Sequence, residues 1–410
     1  MTFYETGPID STSIPVEAEY RVLTTQAGRE LLEMVPGPQP TPAEIARLRK
    51  LAPADMVAAA LRIAAARAKA IGKFPAADRL WLDAVGLEQA TSQAVARHKA
   101  RRFEGQLAVD LCAGLGGDTI ALAERGRVLA VDLSQDRCRR LAWNAIALER
   151  SDRILVCRSR AESFPIPAAS WVHVDPDRRA GTGRARAVAD YVPSVDFLRR
   201  LVASTPAGAI KLGPASDFAA AFPERGVEIE LISLDGECKE ATVWYGAAAT
   251  CRRRATRLPE GATWTDRDAD ARATVPVGPI GSHVFDPDPA ILRSGLLDGF
   301  AAARGLRRIA ADVDYLTSDR LVESPFLAAF EVRSVLPFDI KQLRRAIATE
   351  GLGPLEIKVR GLKVTPEDLR SRLRPPGPTP ATVILSGGAG KALAILARRL
   401  ARGSIGISRC

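Results

Sequence analysis

From Gln106 onward, short apolar runs alternate with segments of helical spacing. The runs predict strands at 107–111, 128–131, 154–157, 171–174, 209–212, 228–234 and 242–246. Helices are expected at 119–125, 135–149 and 195–203, where apolar positions recur with the helical period. Such alternation specifies an α/β fold with a mostly parallel, doubly wound sheet. The last two strands leave no room for a helix between them, so they should form an antiparallel hairpin at the sheet edge.

The flanks read differently. Residues 1–20 look like a loose lead-in, and helical periodicity over 23–35 stops at Pro36-Gly37-Pro38. Thr41-Pro42-Ala43-Glu44 is a capping box with Pro at the first helical position. An Ala-rich amphipathic helix is expected at 55–71, stopped by Gly72, and a further helix at 87–103. That last helix crowds Arg97, His98, Lys99, Arg101 and Arg102 at its end, which suits a helix C-terminus or a polyanion. These elements define a helical domain at 1–104, ahead of the sheet domain at 105–250.

Residues 252–276 are charged and poorly periodic, and 251–329 reads as a linker and bridging region. Within it, Asp286-Pro287-Asp288-Pro289 should cap a helix at 290–304, and 315–319 is turn-like. From 330 to 410 a small α+β module is expected: strands at 330–336, 355–359 and 381–385, and helices at 340–349 and 366–373. The run 392–400 fits a strand or a helix.

Charge changes this picture. The formal net charge is +10, and residues 331–410 carry fifteen Lys or Arg against six Asp or Glu. A basic module beside a nearly neutral chain suggests a polyanionic partner, nucleic acid first, with a solvated basic surface as the plain alternative. The six cysteines form no Cys-x-x-Cys pair and there are three histidines, so neither a metal site nor a disulfide frame is expected. No apolar run is long enough to span a bilayer and the start is polar and acidic, so a cytoplasmic protein is expected.

The candidate chemistry begins at Asp110-Leu111-Cys112-Ala113-Gly114-Leu115-Gly116-Gly117-Asp118, a strand exit, a glycine turn and a helix start. Glycines let a ligand approach the backbone, and free N–H groups at the helix start favour a negative group. The next strand ends at Asp132, where α/β sheets place a carboxylate that grips a ribose diol. The third glycine of a dinucleotide fingerprint is missing, so a ligand with a ribose and no diphosphate fits better, S-adenosylmethionine first. The fourth strand exits into His173-Val174-Asp175-Pro176-Asp177-Arg178-Arg179. An acid here could orient an exocyclic amine. The plain alternative is a strand-end turn with Asp175 as a helix cap. Arg178, Arg179, Arg184 and Arg186, with Gly181 and Gly183 among them, form a basic loop suited to phosphates or merely solvated. His173 reads as a satisfied core residue. Lys211 and the tip 236–240 lie at the same sheet edge as possible substrate contacts.

From about Gln106 to Ala249 the chain resembles the class I methyltransferases, with their Rossmann-like seven-strand sheet closing on an antiparallel strand. The whole chain is similar to bacterial members that carry a C-terminal THUMP-like domain, through 87–92, Lys73-Phe74, 175–179, 286–289 and 358–361. The resemblance implies S-adenosylmethionine as cofactor, bound by Asp110, Cys112, Gly114, Gly116, Asp118, Asp132, Leu133, Glu162 and Asp175. It implies Asp175, Pro176 and Asp177 as the catalytic residues. Cys112 stands where the family commonly has glycine, Asp177 where it has a second proline, and Arg178 where it has an aromatic. RNA is the implied partner, held by Arg178, Arg179, Lys341, Arg345, Lys358 and Arg360.

The expected activity is methyl transfer to a base nitrogen of structured RNA, tRNA or rRNA. Direct in-line transfer needs no metal and no covalent intermediate. Two alternatives remain: a non-catalytic RNA-binding factor with this fold, or a methyltransferase for a protein or small molecule.

Overall fold

The computed structural model describes residues 14–178, 191–216, 218–223, 226–268, 270, 273–388 and 391–401. It divides into two compact units, Met1–Glu228 with Ala241–Thr250, and Ile229–Glu240 with Cys251–Cys410.

The first unit begins with helices α1 Ile14–Thr24, α2 Gln26–Glu33, α3 Pro42–Leu48 and α4 Ala54–Ala70. The capping box forms as expected: Thr41 accepts from the Glu44 backbone N–H while Glu44 accepts from that of Thr41. The expected helix at 87–103 is instead two, α5 Ala84–Gln89 and α6 Gln93–Ala100. Ala90 and Ser92 take extended angles between them, and the break sends the Thr91 hydroxyl to Asp118 at 2.6 Å.

The sheet follows as β1 Ala108–Leu111, α7 Gly117–Ala123, β2 Val128–Asp132, α8 Gln135–Ala147, β3 Ile154–Arg158, β4 Trp171–Val174, α9 Val195–Ser204 and β5 Ala207–Leu212. The hairpin arms are β6 Val227–Leu234 and β7 Glu237–Gly246. Strands β3-β2-β1-β4-β5 are parallel neighbours in that order, and β7 is antiparallel to β5. This is the order of the class I methyltransferase sheet. β1, at the centre, is wholly buried because its residues face packing on both sides. The helical segment is tied to α8: the Trp81 backbone N–H donates to Asn144 Oδ1 at 2.7 Å, and Arg140 meets Glu19 at 2.7 Å.

The second unit corrects several expectations. The hairpin is not a sheet edge, because β8 Arg253–Leu258 pairs in parallel with β6, and β9 Ala262–Thr265 pairs with β8. The expected linker at 252–276 therefore contributes strands. Its charge hid them. Thr256 donates to the buried Glu230, and Arg257 meets the buried Asp288 at 2.6 Å, so polar side chains here are satisfied by distant partners. Likewise 315–319 is mostly strand. A second sheet contains β10 His283–Pro287, β11 Arg307–Ala310, β12 Val313–Ser318, β13 Leu327–Pro337, β14 Leu352–Arg360, β15 Thr379–Gly388 and β16 Lys391–Arg399. Its order is β11-β12-β10-β13-β16-β15-β14. The run at 392–400 is thus strand, not helix.

Between β10 and β11 the expected single helix is two short ones, α10 Pro289–Arg293 and α11 Leu297–Ala302, separated at Gly295, which takes a φ of +71°. Asp288 caps α10, accepting from the Ala290 N–H at 2.9 Å. Helices α12 Ile340–Thr349 and α13 Pro366–Leu373 bury Leu343, Ile347, Leu369 and Leu373 against Ile357, Val383, Leu385 and Leu396 on one sheet face. No described helix is long and apolar enough to cross a membrane.

Candidate active site

The site is built where β1, β2 and β4 end, all within the first unit. Cys112, just after β1, takes a φ of +60°, which explains why glycine suits this position. Its thiol is pushed well up by burial and by the carboxylates of Asp132, Asp175, Asp110 and Glu162. Four acids thus gather around the turn, a field that favours a cationic ligand.

Gly114 and Gly116 both adopt positive φ, +57° and +90°. They differ in surroundings. A Cβ on Gly114 would meet nothing within 4 Å, whereas one on Gly116 would strike Leu141 Cδ1. Gly114 therefore opens a cradle, and Gly116 exists for close packing at the α7 N-terminus. We expect Gly114→Ala to cost only about 1–2 kcal/mol of stability from backbone strain yet to lose S-adenosylmethionine affinity tenfold or more. Gly116→Ala should instead lower the unfolding midpoint clearly. Chemical denaturation and calorimetry on both variants separate the two roles.

Asp132, at the end of β2, accepts from the Gly114 N–H at 2.9 Å and the Ser134 N–H at 2.8 Å. Burial raises its carboxyl despite these bonds. It thereby locks the glycine turn to β2 and keeps lone pairs available for diol hydroxyls. Leu133 beside it is 57% exposed, an apolar surface placed for a ring, and Glu162 is exposed in the short turn after β3. The open cradle at Gly114, the acid at Asp132 and the bare Leu133 fit a nucleoside cofactor with a cationic sulfonium.

Asp110 and Asp118, expected among the cofactor-binding residues, lie buried beneath the turn and brace it. Asp110 accepts from the Thr119 hydroxyl and meets His173 Nδ1 at 2.7 Å. Asp118 meets the ammonium of Lys99 at 2.9 Å, and that ammonium lies 3.4 Å from His173 Nε2. Lys99 is 1% exposed. Sequence reasoning grouped Lys99 with the cations crowded at a helix end, suited to a helix C-terminus or a polyanion. A signal was present, since Lys99 falls at helical spacing on the stripe Val95, Ala96 and Ala100 that α6 buries.

At the β4 exit, Asp175 meets Lys211 Nζ on β5 at 2.6 Å. Burial raises the Asp175 carboxyl, and Lys211 opposes this. Lys211 also donates to the Gln89 carbonyl at 3.3 Å, and the Gln89 amide donates to Asp177 at 3.3 Å. Asp175, Asp177, Lys211 and Gln89 thus converge, with Gln89 supplied by α5. The pair Asp177–Arg178 is held as a short ladder against Tyr191–Val192, and the Tyr191 hydroxyl accepts from the Gly213 N–H at 2.8 Å. Pro176 follows Asp175 directly and fixes the chain's exit. Arg179 and the basic loop at 184–186 lie outside the described residues.

The four basic residues expected to hold substrate in the second unit separate. Lys358 and Arg360 both grip Asp286 at 2.7 Å, with Arg360 above the Tyr315 ring. Lys341 and Arg345 are exposed on α12.

Comparison with known proteins identifies the family. Residues 327–399 match the THUMP domain-like family. Uncharacterized S-adenosylmethionine-dependent methyltransferases of two Mycobacterium tuberculosis strains, CDC 1551 / Oshkosh and ATCC 25618 / H37Rv, are each 34% identical over 308 residues, 73% of this chain and 82% of theirs. A crystal structure of a candidate methyltransferase from Porphyromonas gingivalis W83 shares the fold, with a TM-score of 0.73 over 96% of this chain and all of that one, at 21% identity. The chain belongs to the S-adenosylmethionine-dependent methyltransferases. It is an enzyme of that class, with a class I sheet and a THUMP-like C-terminal domain.

Proposed function

We propose that this methyltransferase acts on a base nitrogen of structured RNA, tRNA or rRNA. The chemistry rests on Asp175, a carboxylate at the β4 exit braced by Lys211 at 2.6 Å. The RNA class is supported by the THUMP-like match at 327–399 and by the positive balance of that region.

When bound, S-adenosylmethionine supplies an electrophilic methyl group. The chain's residues do the rest. Asp132 would accept from the ribose hydroxyls, Leu133 would cover one ring face, and Glu162 would accept from an exocyclic amine of the cofactor base. Asp175 would accept an N–H of the target amine, aim its lone pair, and take the proton released when the new N–C bond forms. The ammonium of Lys211 stabilises the ionised, accepting form of Asp175. Pro176 and Asp177 hold the exit beside it, and Gln89 brings an amide from the helical segment.

Mass spectrometry of nucleosides from cells with and without this chain tests the reading. One methylated nucleoside should disappear with the gene. An unchanged nucleoside profile would favour a protein or small-molecule substrate, or a binding factor without turnover. For the cofactor site, Asp132→Ala should weaken S-adenosylmethionine at least tenfold by calorimetry, because a diol acceptor and the lock on the Gly114 turn both go. Unchanged affinity would remove Asp132 from the site.

A further inference from the structure

The tertiary structure sorts the cations of the THUMP-like domain into two sets. Arg333, Lys358, Arg360, Arg398 and Arg399 each meet a carboxylate: Glu350, Asp286, Asp286, Glu331 and Glu356. These side chains belong to β13, β14 and β16. Their charge is largely neutralised where it stands.

The second set belongs to the helices. The side chains of Lys341, Arg344 and Arg345 on α12, and of Arg370 and Arg372 on α13, are exposed and make no hydrogen bond or ion pair among the described residues. Lys363 before α13 and Arg374 at its C-cap share this state. The two helices bury Leu343, Ile347, Leu369 and Leu373 against the same sheet face, so their opposite sides look outward together. The acids there are Asp339 and Glu350 at the two ends of α12, Glu350 being paired with Arg333, and Glu367 and Asp368 in the first turn of α13. Cations dominate the remainder.

We infer that the outward side of α12 and α13 is the surface on which this domain docks the phosphate backbone of a folded RNA. This rests on the RNA reading above. An unpaired cation keeps its full charge for an incoming phosphate and breaks no internal pair to reach it. A paired one must first give up a carboxylate. Neither helix contains an aromatic residue, so this surface offers no aromatic platform for unstacked bases. Its chemistry suits the phosphates of a base-paired stem, read by shape.

The test measures binding of the full-length chain to deproteinised bulk tRNA across a salt series, with poly(U) as the single-stranded comparison. Wild type should bind tRNA with a steep salt slope and prefer it to poly(U). The variant Lys341→Gln/Arg344→Gln/Arg345→Gln should lower the slope by about 2–3, near one for each phosphate no longer neutralised, and weaken binding at least tenfold. Arg398→Gln/Arg399→Gln, from the paired set, should leave the slope unchanged. Both variants change exposed side chains, and a thermal melt confirms that each folds.

A wild-type slope in the helix variant, or an equal loss in the paired-set variant, overturns the assignment. Equal affinity for poly(U) overturns the preference for folded RNA. These outcomes leave the RNA reading intact if the nucleoside difference persists. A wild-type chain that binds no tRNA, from cells with unchanged nucleosides, ends both.

Discussion

Replacing Asp175 by asparagine should slow methyl transfer by about 10²–10⁴-fold while leaving RNA affinity near wild type. The amide keeps the shape of the carboxylate and can still accept a hydrogen bond. It cannot take the proton that must leave the amine as the N–C bond forms, and it loses the charge that Lys211 holds at 2.6 Å. The pH profile gives an independent reading. Burial raises the Asp175 carboxyl, with Lys211 pulling the other way. The base works only when ionised, so activity should fall as pH drops through a value above the usual carboxylate range. In Asp175→Asn that acid limb should vanish. The measurement is incorporation of labelled methyl groups into RNA from cells lacking the gene. A full rate in the variant would show that Asp175 is only a turn residue.

The second large effect concerns stability. Lys99→Met removes the ammonium that faces Asp118 at 2.9 Å in a buried setting. One charge of a buried pair is then left uncompensated, a loss of about 3–5 kcal/mol. The double variant Lys99→Met/Asp118→Asn removes both charges and should recover part of this. Asp118 is pushed up by burial, but Lys99 and His173 outweigh this and hold its carboxyl below the usual range. A depressed carboxyl contributes stability above its unfolded pKa of about 3.9 and loses it as pH falls. The gap between wild type and Lys99→Met should therefore narrow in acid. His173 works in the opposite sense. Burial lowers it, yet Asp118 and Asp110 prevail and raise it. Its contribution is full below about 6.5 and declines as pH rises past its folded value. Urea unfolding at several pH values checks both signs. A single variant as stable as wild type would mean that the ammonium is dispensable beneath the turn.

Coupling between the helical segment and the cofactor turn follows from the same residues. Lys99 comes from α6 and Gln89 from α5, yet one braces the start of α7 and the other reaches Asp177. The N-terminal helices thus brace the glycine turn and the β4 exit.

The sequence by itself determined the parts whose signals are local. Buried strands read as apolar runs, so β1 to β5 were legible to within two residues at each end. A strand, a glycine turn and a helix start lie within a few residues of one another, so the cradle at Gly114 and the acid at Asp132 were legible too. The β4 exit at Asp175 was fixed by the strand's end. Only the tertiary structure decided what distant charges do. Strand β8 looks like a loop because Arg257 and Thr256 are polar, and it is a strand because Asp288 and Glu230 satisfy them. Lys99 looks like a surface cation because its partners, Asp118 and His173, come from α7 and β4. In the THUMP-like domain, Lys358 and Lys341 are the same residue type in equally basic surroundings. One is paired with Asp286 and the other faces outward, because a carboxylate on β10 reaches only one of them. Periodicity is written along the chain. Pairing of charges across many residues depends on which elements the fold brings side by side.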